Sequence, residues 1–341
     1  MNAEPISVRA TRYILVVHIA RCMVFLFATE SWCRRMVLTA SRRVLARVLV
    51  VTAVGLAVSC GNDNQGSTIV VGAGDSAESN LLAQIYSGAL ARTGARTSIT
   101  ANLGNRADYL GALDSGAVAV VGEHSGELLT FLNGNARART PEVADKSEPV
   151  RLSVTEELSR SLPEGLAVSD PADGTDMRPR VLLAETAATR DNVRSVGALT
   201  PHCGEIEAGV APVPGVLRAP TGPVSVVGCA FAGTSAYPDA PALRKALLDG
   251  EIQAGILTGP PTLASGSTDG LIVLSDGDYA VRAENVLAVY RKGLLDDQQI
   301  RKLNYVAGEL ATDELVGMIQ RVRDGAAAAD VARAWLDQHA L

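Results

Sequence analysis

Residues 68–93 read T-I-V-V-G-A-G-D-S-A-E-S-N-L-L-A-Q-I-Y-S-G-A-L-A-R-T. The β-branched run that ends at Gly72 is typical of a short strand, and the Gly/Asp/Ser segment after it is typical of a turn. From 80 to 93, Leu and Ile residues recur at helical spacing, which predicts a helix that ends at Gly94. A strand, a turn and a helix in this order form the repeating unit of an α/β protein.

Strands and helices alternate in the same way along the rest of the chain. Apolar runs predict strands at 96–103, 117–121, 181–184, 252–257, 271–274 and 286–291. Helical spacing predicts helices at 107–115, 126–132, 241–248, 297–311, 312–323 and 329–338. This alternation predicts a parallel sheet covered by helices, with ligands at the carboxyl ends of its strands.

The length of the chain predicts two lobes. A chain of 341 residues is long for one domain and natural for two compact ones. A segment rich in turn-forming residues, 169–175, separates the first run of elements from the second. We predict that residues 68–170 and 280–341 form the first lobe and that residues 171–279 form the second.

Residues 36–60 are organised like an export signal. Three Arg residues, the last of them Arg47, precede an apolar run at 48–58 that is too short to span a bilayer unaided. Small residues then lead to Cys60, and this pattern resembles the bacterial lipoprotein signal, in which the Cys becomes the lipidated first residue. A signal peptide without lipidation, or a short anchor with an incidental Cys, is the alternative.

The segments around this signal receive separate assignments. We assign 36–59 to a lipoprotein signal peptide and the polar stretch 60–67 to a tether. Because a complete signal already begins at Met36, we interpret residues 1–35 as an over-extended start; a two-segment membrane hairpin is the alternative. The expected attachment to the membrane is therefore a lipid on Cys60.

Charge and motifs exclude several classes of function. Residues 60–341 carry 23 basic and 35 acidic side chains, and an acidic body argues against nucleic acid as a partner. The only histidines there are His124, His202 and His339, without the ligand spacing of a metal site. A phosphate-binding Gly-rich loop and a G-x-S-x-G motif are missing from the sequence. We expect no metal, no cofactor and no enzymatic activity.

Cys203 and Cys229 are the only cysteines after Cys60. Outside the cytosol a lone pair of this kind predicts a disulfide bond. The alternative is two unpaired thiols that are buried as small hydrophobic side chains.

Four stretches, in the right order, resemble the substrate-binding lipoproteins of osmoprotectant (glycine betaine/choline/carnitine) ABC transporters. They are V-G-A-G-D-S-A-E-S-N-L-L-A at 71–83, the segment 103–126 with A-L-D-S-G and G-E-H-S-G, A-L-L-D-G-E-I-Q-A at 246–254, and E-N-V-L-A-V-Y-R-K at 284–292 followed by E-L-A-T-D-E-L at 309–315. The resemblance implies a type II periplasmic-binding-protein fold, in which a small-molecule solute is bound in a cleft between two α/β lobes. It also implies ABC permease and ATPase subunits as partners, an extracytoplasmic location and osmoprotection as the role; we expect a monomer.

The resemblance further points to the turns at 72–80 and 121–127 as parts of the ligand site. Members of the family hold quaternary ammonium groups in a cage of tyrosines and hold the carboxylate of the ligand with Lys, Thr and Arg. The matching positions here carry Gly74 for the Lys, His124 for a cage tyrosine and Glu127 for the Thr, while Arg218 matches the Arg. We therefore expect a polyol, a sugar-like solute or a cation without a carboxylate, rather than betaine.

The candidate ligand-binding residues are polar or aromatic side chains at these turns and in later loops: Asp75, Ser76, Glu78, Glu123, His124, Glu127, Arg218, Tyr237, Thr258, Tyr279 and Asn285. Each has a structural alternative: Asp75 and Ser76 are good helix caps, Glu78 suits the first turn of a helix, and His124 suits a turn. A second function remains open, namely an envelope lipoprotein that carries or presents a partner without a transporter.

Overall fold

The computed structural model describes residues 67–141, 152–217, 224–264 and 266–341. The export signal, Cys60 and Arg218 lie outside these ranges. Within them no helix combines the length and the apolar composition that crossing a bilayer requires. The same part of the chain contains no group of three or more His, Cys, Asp or Glu side chains that could hold a metal ion.

The strands of the described residues form two five-stranded sheets. The strands are β1 (Ile69–Gly72), β2 (Thr97–Thr100), β3 (Val120–His124), β4 (Leu166–Val168), β5 (Arg180–Ala184), β6 (Glu207–Ala211), β7 (Gly233–Ala236), β8 (Ala254–Leu257), β9 (Leu271–Val273) and β10 (Val286–Arg291). The first sheet has the order β2-β1-β3-β10-β4 and the second has the order β7-β6-β8-β5-β9. The chain therefore crosses from the first lobe to the second between β4 and β5, and returns between β9 and β10.

Both sheets are mixed, which corrects the prediction of a parallel sheet. Strands β1, β2 and β3 are parallel, but β10 runs antiparallel to both β3 and β4. In the second sheet β5 runs antiparallel to β8 and β9. A strand that is buried on both faces has a continuous apolar sequence whichever way it runs, so the pattern does not indicate its direction.

Ten helices within the described residues cover these sheets. They are α1 (Ala77–Ala91), α2 (Arg106–Ser115), α3 (Ser125–Leu132), α4 (Val154–Ser161), α5 (Glu185–Arg190), α6 (Val196–Leu199), α7 (Ala240–Asp249), α8 (Asp297–Glu309), α9 (Thr312–Arg323) and α10 (Ala328–Gln338). Short 3-10 helices lie at Thr200–Glu205 and Pro261–Leu263.

Helix α1 lies at the centre of the first lobe. Its apolar residues Leu81, Leu82, Ile85 and Leu90 are fully buried. The helix begins three residues earlier than the periodicity predicts, because the hydroxyl of Ser76 accepts a hydrogen bond from the backbone N–H of Ser79. This cap fixes the entry to the helix directly after the turn that follows β1.

Six of the strands and helices carry no prediction from the sequence. They are β4, α4, α5, α6, β6 and β7. The sequences E-A-G-V-A of β6 and G-T-S-A of β7 consist mostly of residues with low strand propensity, and β7 lies at the edge of its sheet. Pairing with β8, rather than local preference, makes β6 a strand.

A disulfide bond joins Cys203 and Cys229. It links the 3-10 helix at 200–205 to the chain segment that leads into β7, and Cys203 is buried in the core of the second lobe. The predicted pairing is therefore present in the structure.

Candidate functional site

A cleft of about 1110 Å³ lies between the two lobes. The first lobe contributes the turn at 74–76 after β1 and the segment 104–106 after β2. The second lobe contributes 212–217 after β6, Tyr237 after β7 and Thr258 after β8. In each sheet these strands are parallel to one another, so both walls of the cleft stand at the carboxyl ends of parallel strands. Ligands of α/β proteins bind at such ends.

Four of the candidate residues line this cleft: Asp75, Ser76, Tyr237 and Thr258. The Oδ1 atom of Asp75 accepts a hydrogen bond from the backbone N–H of Gly104 at 3.2 Å. The hydroxyl of Thr258 accepts one from the backbone N–H of Val213 at 3.1 Å. These bonds hold the side chains in place while Asp75 retains a second carboxylate oxygen and Thr258 retains its hydroxyl hydrogen.

Glu123 lies behind the first-lobe wall and is fully buried. Its two oxygens accept from Nε and Nη2 of Arg106 at 2.7 and 3.1 Å, and the hydroxyl of Tyr109 donates to the same carboxylate. Arg106 and Tyr109 both line the cleft. Glu123 therefore acts on the cleft by fixing the positions of two residues that line it. Glu127 stands on the other side of Arg106, with 3.4 Å between its Oε2 atom and Nη1.

Glu78 joins the two lobes. Its Oε1 atom lies 2.8 Å from Nε2 of His124, and its Oε2 atom accepts from the backbone N–H of Leu217 at 2.6 Å. Its own backbone N–H donates to the carbonyl of Gly215 at 2.9 Å. Gly215 has a φ of 89°, a backbone conformation that favours glycine. A Cβ atom at this position would also lie 2.5 Å from the side chain of Arg323. Glu78 and His124 are both buried.

Burial and charge shift the pKa values of this network. Burial lowers the pKa of His124, but the carboxylate of Glu78 outweighs it and raises that pKa to about 9. Burial is the largest cause that raises the pKa of Glu284 to about 8, and repulsion by the charge of Glu127 is the second. Glu284 accepts hydrogen bonds from the backbone N–H groups of Gly126 and Glu127, both at 2.9 Å. Burial also raises the pKa of Glu127.

These shifts predict that the free energy of unfolding falls as the pH rises from about 5 to about 9. The ordinary pKa values of Glu284 and His124 are 4.5 and 6.5, and both values are higher in the folded state. A group of this kind stabilises the fold fully below its unfolded pKa and loses that contribution as the pH rises through its folded pKa. Urea unfolding at pH 5, 6.5, 8 and 9 measures the slope.

Glu284→Gln should flatten this slope between pH 5 and 8, by an amount on the order of a few kcal/mol. Glutamine keeps an oxygen that accepts from the same two N–H groups but does not titrate. Glu309→Gln is the matched control, because Glu309 is an exposed carboxylate. An unchanged slope in Glu284→Gln would contradict the assignment of the pH dependence to Glu284.

The remaining candidates lie elsewhere or outside the described residues. The guanidinium of Arg178 stacks on the ring of Tyr279, 4.3 Å from its centre, away from the cleft lining. Asn285 is buried and donates to the carbonyls of Thr175 and Ala172 at 2.7 and 3.3 Å. It connects the strand β10 to the segment that enters the second lobe. Arg218 is not among the described residues.

Four polar or aromatic residues of the first-lobe wall were missed as ligand candidates from the sequence: Ser79, Asn105, Arg106 and Tyr109. A signal for Arg106 was present, because two carboxylates at 123 and 127 beside a buried strand require a cation nearby. Asn105 caps α2, which places Arg106 at the first helical position after β2.

Two α/β lobes, a double chain crossing and a cleft at the carboxyl ends of both sheets define a type II periplasmic solute-binding protein. The model of one family, the substrate binding domain of ABC-type glycine betaine transport systems, matches residues 67–338, and the chain belongs to this family. The predicted fold class and the resemblance are thereby confirmed. The chain is the substrate-binding component of an ABC transporter, a class that works on the extracytoplasmic side of the membrane.

Solved structures agree with this fold. A glycine betaine/carnitine/choline ABC transporter protein is 17% identical with a TM-score of 0.55, over 80% of this chain and 98% of that one. Apo YehZ from Escherichia coli is 20% identical with a TM-score of 0.54, over 80% of this chain and 99% of that one. No curated protein matches the sequence.

Proposed function

We propose that the protein is the solute-binding component of an osmoprotectant-type ABC importer and that it takes a small polar solute into the cleft between its lobes. One observation carries the proposal: the cleft is lined from both lobes, by 74–76 and 104–106 on one side and by 212–217 and 234–237 on the other. A solute that contacts both walls stabilises the closed state over the open one, which gives a transporter a way to distinguish loaded from empty protein.

Within this proposal the candidate residues have two kinds of role. Asp75, Ser76, Tyr237 and Thr258 line the cleft and are positioned to contact the solute directly. Glu123 and Glu127 orient Arg106 from behind, and Glu78 with His124 holds the lobes together beside the cleft. The proposal also includes a lipid anchor at Cys60, a monomeric protein, permease and ATPase partners, and lobe boundaries after residues 170 and 279.

The proposal predicts that a bound solute closes the lobes. A solute that raises the thermal midpoint of the purified protein should also reduce its radius of gyration in solution X-ray scattering, because closure brings the two walls together. The screen covers betaines, choline, polyols and sugars. Compounds that leave the midpoint unchanged serve as controls and should leave the scattering unchanged.

A stabilising solute that leaves the scattering unchanged would contradict closure. If no compound in the screen changes either quantity, the alternative gains support, namely an envelope lipoprotein that presents a partner without a transporter.

A further inference from the structure

We propose that the cleft selects an uncharged, hydroxyl-rich solute, a polyol or a saccharide, and that Arg106 is its central hydrogen-bond donor, with its charge cancelled by Glu123. This inference rests on the proposed function of the cleft and names the class of solute that the cleft takes.

Arg106 combines burial with access to the cleft. Its side chain is only 8% exposed, yet the residue lines the cleft. A guanidinium has five N–H donors in a fixed fork. Two of them bind Glu123 and a third faces Glu127, which leaves at most two for the oxygens of a solute. The fork is held rigid by Glu123, which is itself fully buried, so these donors are positioned before a solute arrives.

The charges around Arg106 disfavour an anionic solute. Among the lining residues that the structure describes, Arg106 is the only cation and Asp75 the only carboxylate. Glu123 and Glu127 lie directly behind Arg106. A carboxylate that approaches Arg106 therefore meets Asp75, Glu123 and Glu127, while a cation has a single carboxylate partner in this lining, Asp75, one oxygen of which already accepts from Gly104. Like charges at close range are costly in a partly buried site, so a solute without a carboxylate is favoured.

The remaining lining groups suit hydroxyls, which donate and accept at the same atom. The hydroxyls of Ser76 and Thr258 each accept a bond from a backbone N–H and still have a hydrogen to donate. Asn105, Thr234 and Ser235 add further polar groups on both walls.

The apolar part of the lining suits the C–H faces of a sugar or a polyol. Tyr109 and Tyr237 stand on opposite walls, with Val213 and Val216 between the polar groups of the second lobe. A volume of about 1110 Å³ lies just above the usual range for clefts that hold drug-sized ligands, which ends at about 1,000 Å³. A saccharide of one or two rings fits such a volume.

Isothermal titration of the purified protein tests the proposal. The neutral probes are sorbitol, myo-inositol, glucose, maltose and trehalose, and the charged probes are glycine betaine and choline. We expect at least one neutral probe to bind saturably and more tightly than both charged ones. Its affinity should change by less than about twofold between low and high salt, because screening acts on charges.

Variants test the role of Arg106. Arg106→Gln should lower the affinity for the neutral probe by roughly tenfold or more, as expected for the loss of charge-assisted hydrogen bonds. Glu123→Gln removes the carboxylate that neutralises Arg106. The variant should therefore bind glycine betaine measurably, because the guanidinium can then pair with the carboxylate of the betaine. Arg92→Gln is the control and should bind as the wild type does, because Arg92 binds carbonyls at the carboxyl end of the chain.

The double variant Arg106→Gln/Glu123→Gln separates loss of the fold from loss of binding, because it removes both members of the buried Arg106–Glu123 pair. Its thermal midpoint without solute should stay closer to that of the wild type than the midpoint of Arg106→Gln does, while its affinity stays low.

Three results would overturn the proposal. Tighter binding of glycine betaine or choline than of every neutral probe would refute the solute class and leave the proposed function intact. Unchanged affinity in a folded Arg106→Gln variant, or loss in Arg218→Gln instead, would refute the role of Arg106. If no probe of either set binds, the proposed function fails together with this inference.

Discussion

Glu78→Ala should lower the free energy of unfolding by about 3–5 kcal/mol, the range expected when one partner of a buried ion pair is removed. The substitution leaves His124 buried without its carboxylate and leaves the backbone N–H of Leu217 without its acceptor. Both losses add, since an unsatisfied buried group retains its full cost of desolvation. Urea unfolding at pH 6.5, where His124 is protonated, measures the change.

The matched control is Glu309→Ala. Glu309 also faces a histidine, His339 at 3.2 Å, but its side chain is 53% exposed. Exposed pairs of this kind contribute about 0–1 kcal/mol. Equal effects of the two substitutions would show that Glu78 does not join the lobes in solution. Glu78→Gln keeps an acceptor for Leu217 and should lie between the control and the alanine variant.

Replacing Cys203 and Cys229 together by serine should lower the free energy of unfolding by roughly 3 kcal/mol. The bond closes a loop with a sequence separation of 26 and thereby limits the unfolded chain. Its removal also frees the 3-10 helix at 200–205 from the segment that leads into β7. Chemical unfolding of the variant and of the wild type, under oxidising conditions, measures the difference.

Reductant provides the control for this pair of substitutions. It should destabilise the wild-type protein by a similar amount and leave the double serine variant unchanged. Mass spectrometry after non-reducing digestion should detect the peptide linked through Cys203 and Cys229. Two thiols that react with an alkylating agent in the folded, non-reduced protein would refute the bond.

Much of the fold was predictable because the decisive segments are local. The strand, turn and helix at 69–91 have strong apolar patterns, and β10 occupies the predicted residues 286–291. Strand direction was not predictable, because β10 is buried in nearly all positions and its sequence has no polar face. Strand β6 was not predictable either, since its small residues become a strand only through their neighbours in the sheet.

The site was predictable in outline and less so in detail. The turn at 74–76 lines the cleft, as its place after a strand indicates. Glu123 was singled out as a ligand contact, whereas the structure places it behind the wall, bonded to Arg106. A sequence shows that a polar residue stands at the end of a strand, but whether it faces solute or another side chain depends on partners that are remote in the chain.

The return of the chain through β10 has a consequence for the order of assembly. All strands of the second sheet come from one continuous stretch, 180–273. The first sheet is incomplete until β10 has been synthesised, because β4 pairs with β10. A polypeptide that emerges amino end first therefore completes its later half before its earlier one. Until residue 291 has emerged, β3 and β4 keep unpaired edges, which are sites of aggregation. Nascent chains halted just before residue 286 should consequently be the species that most needs a chaperone.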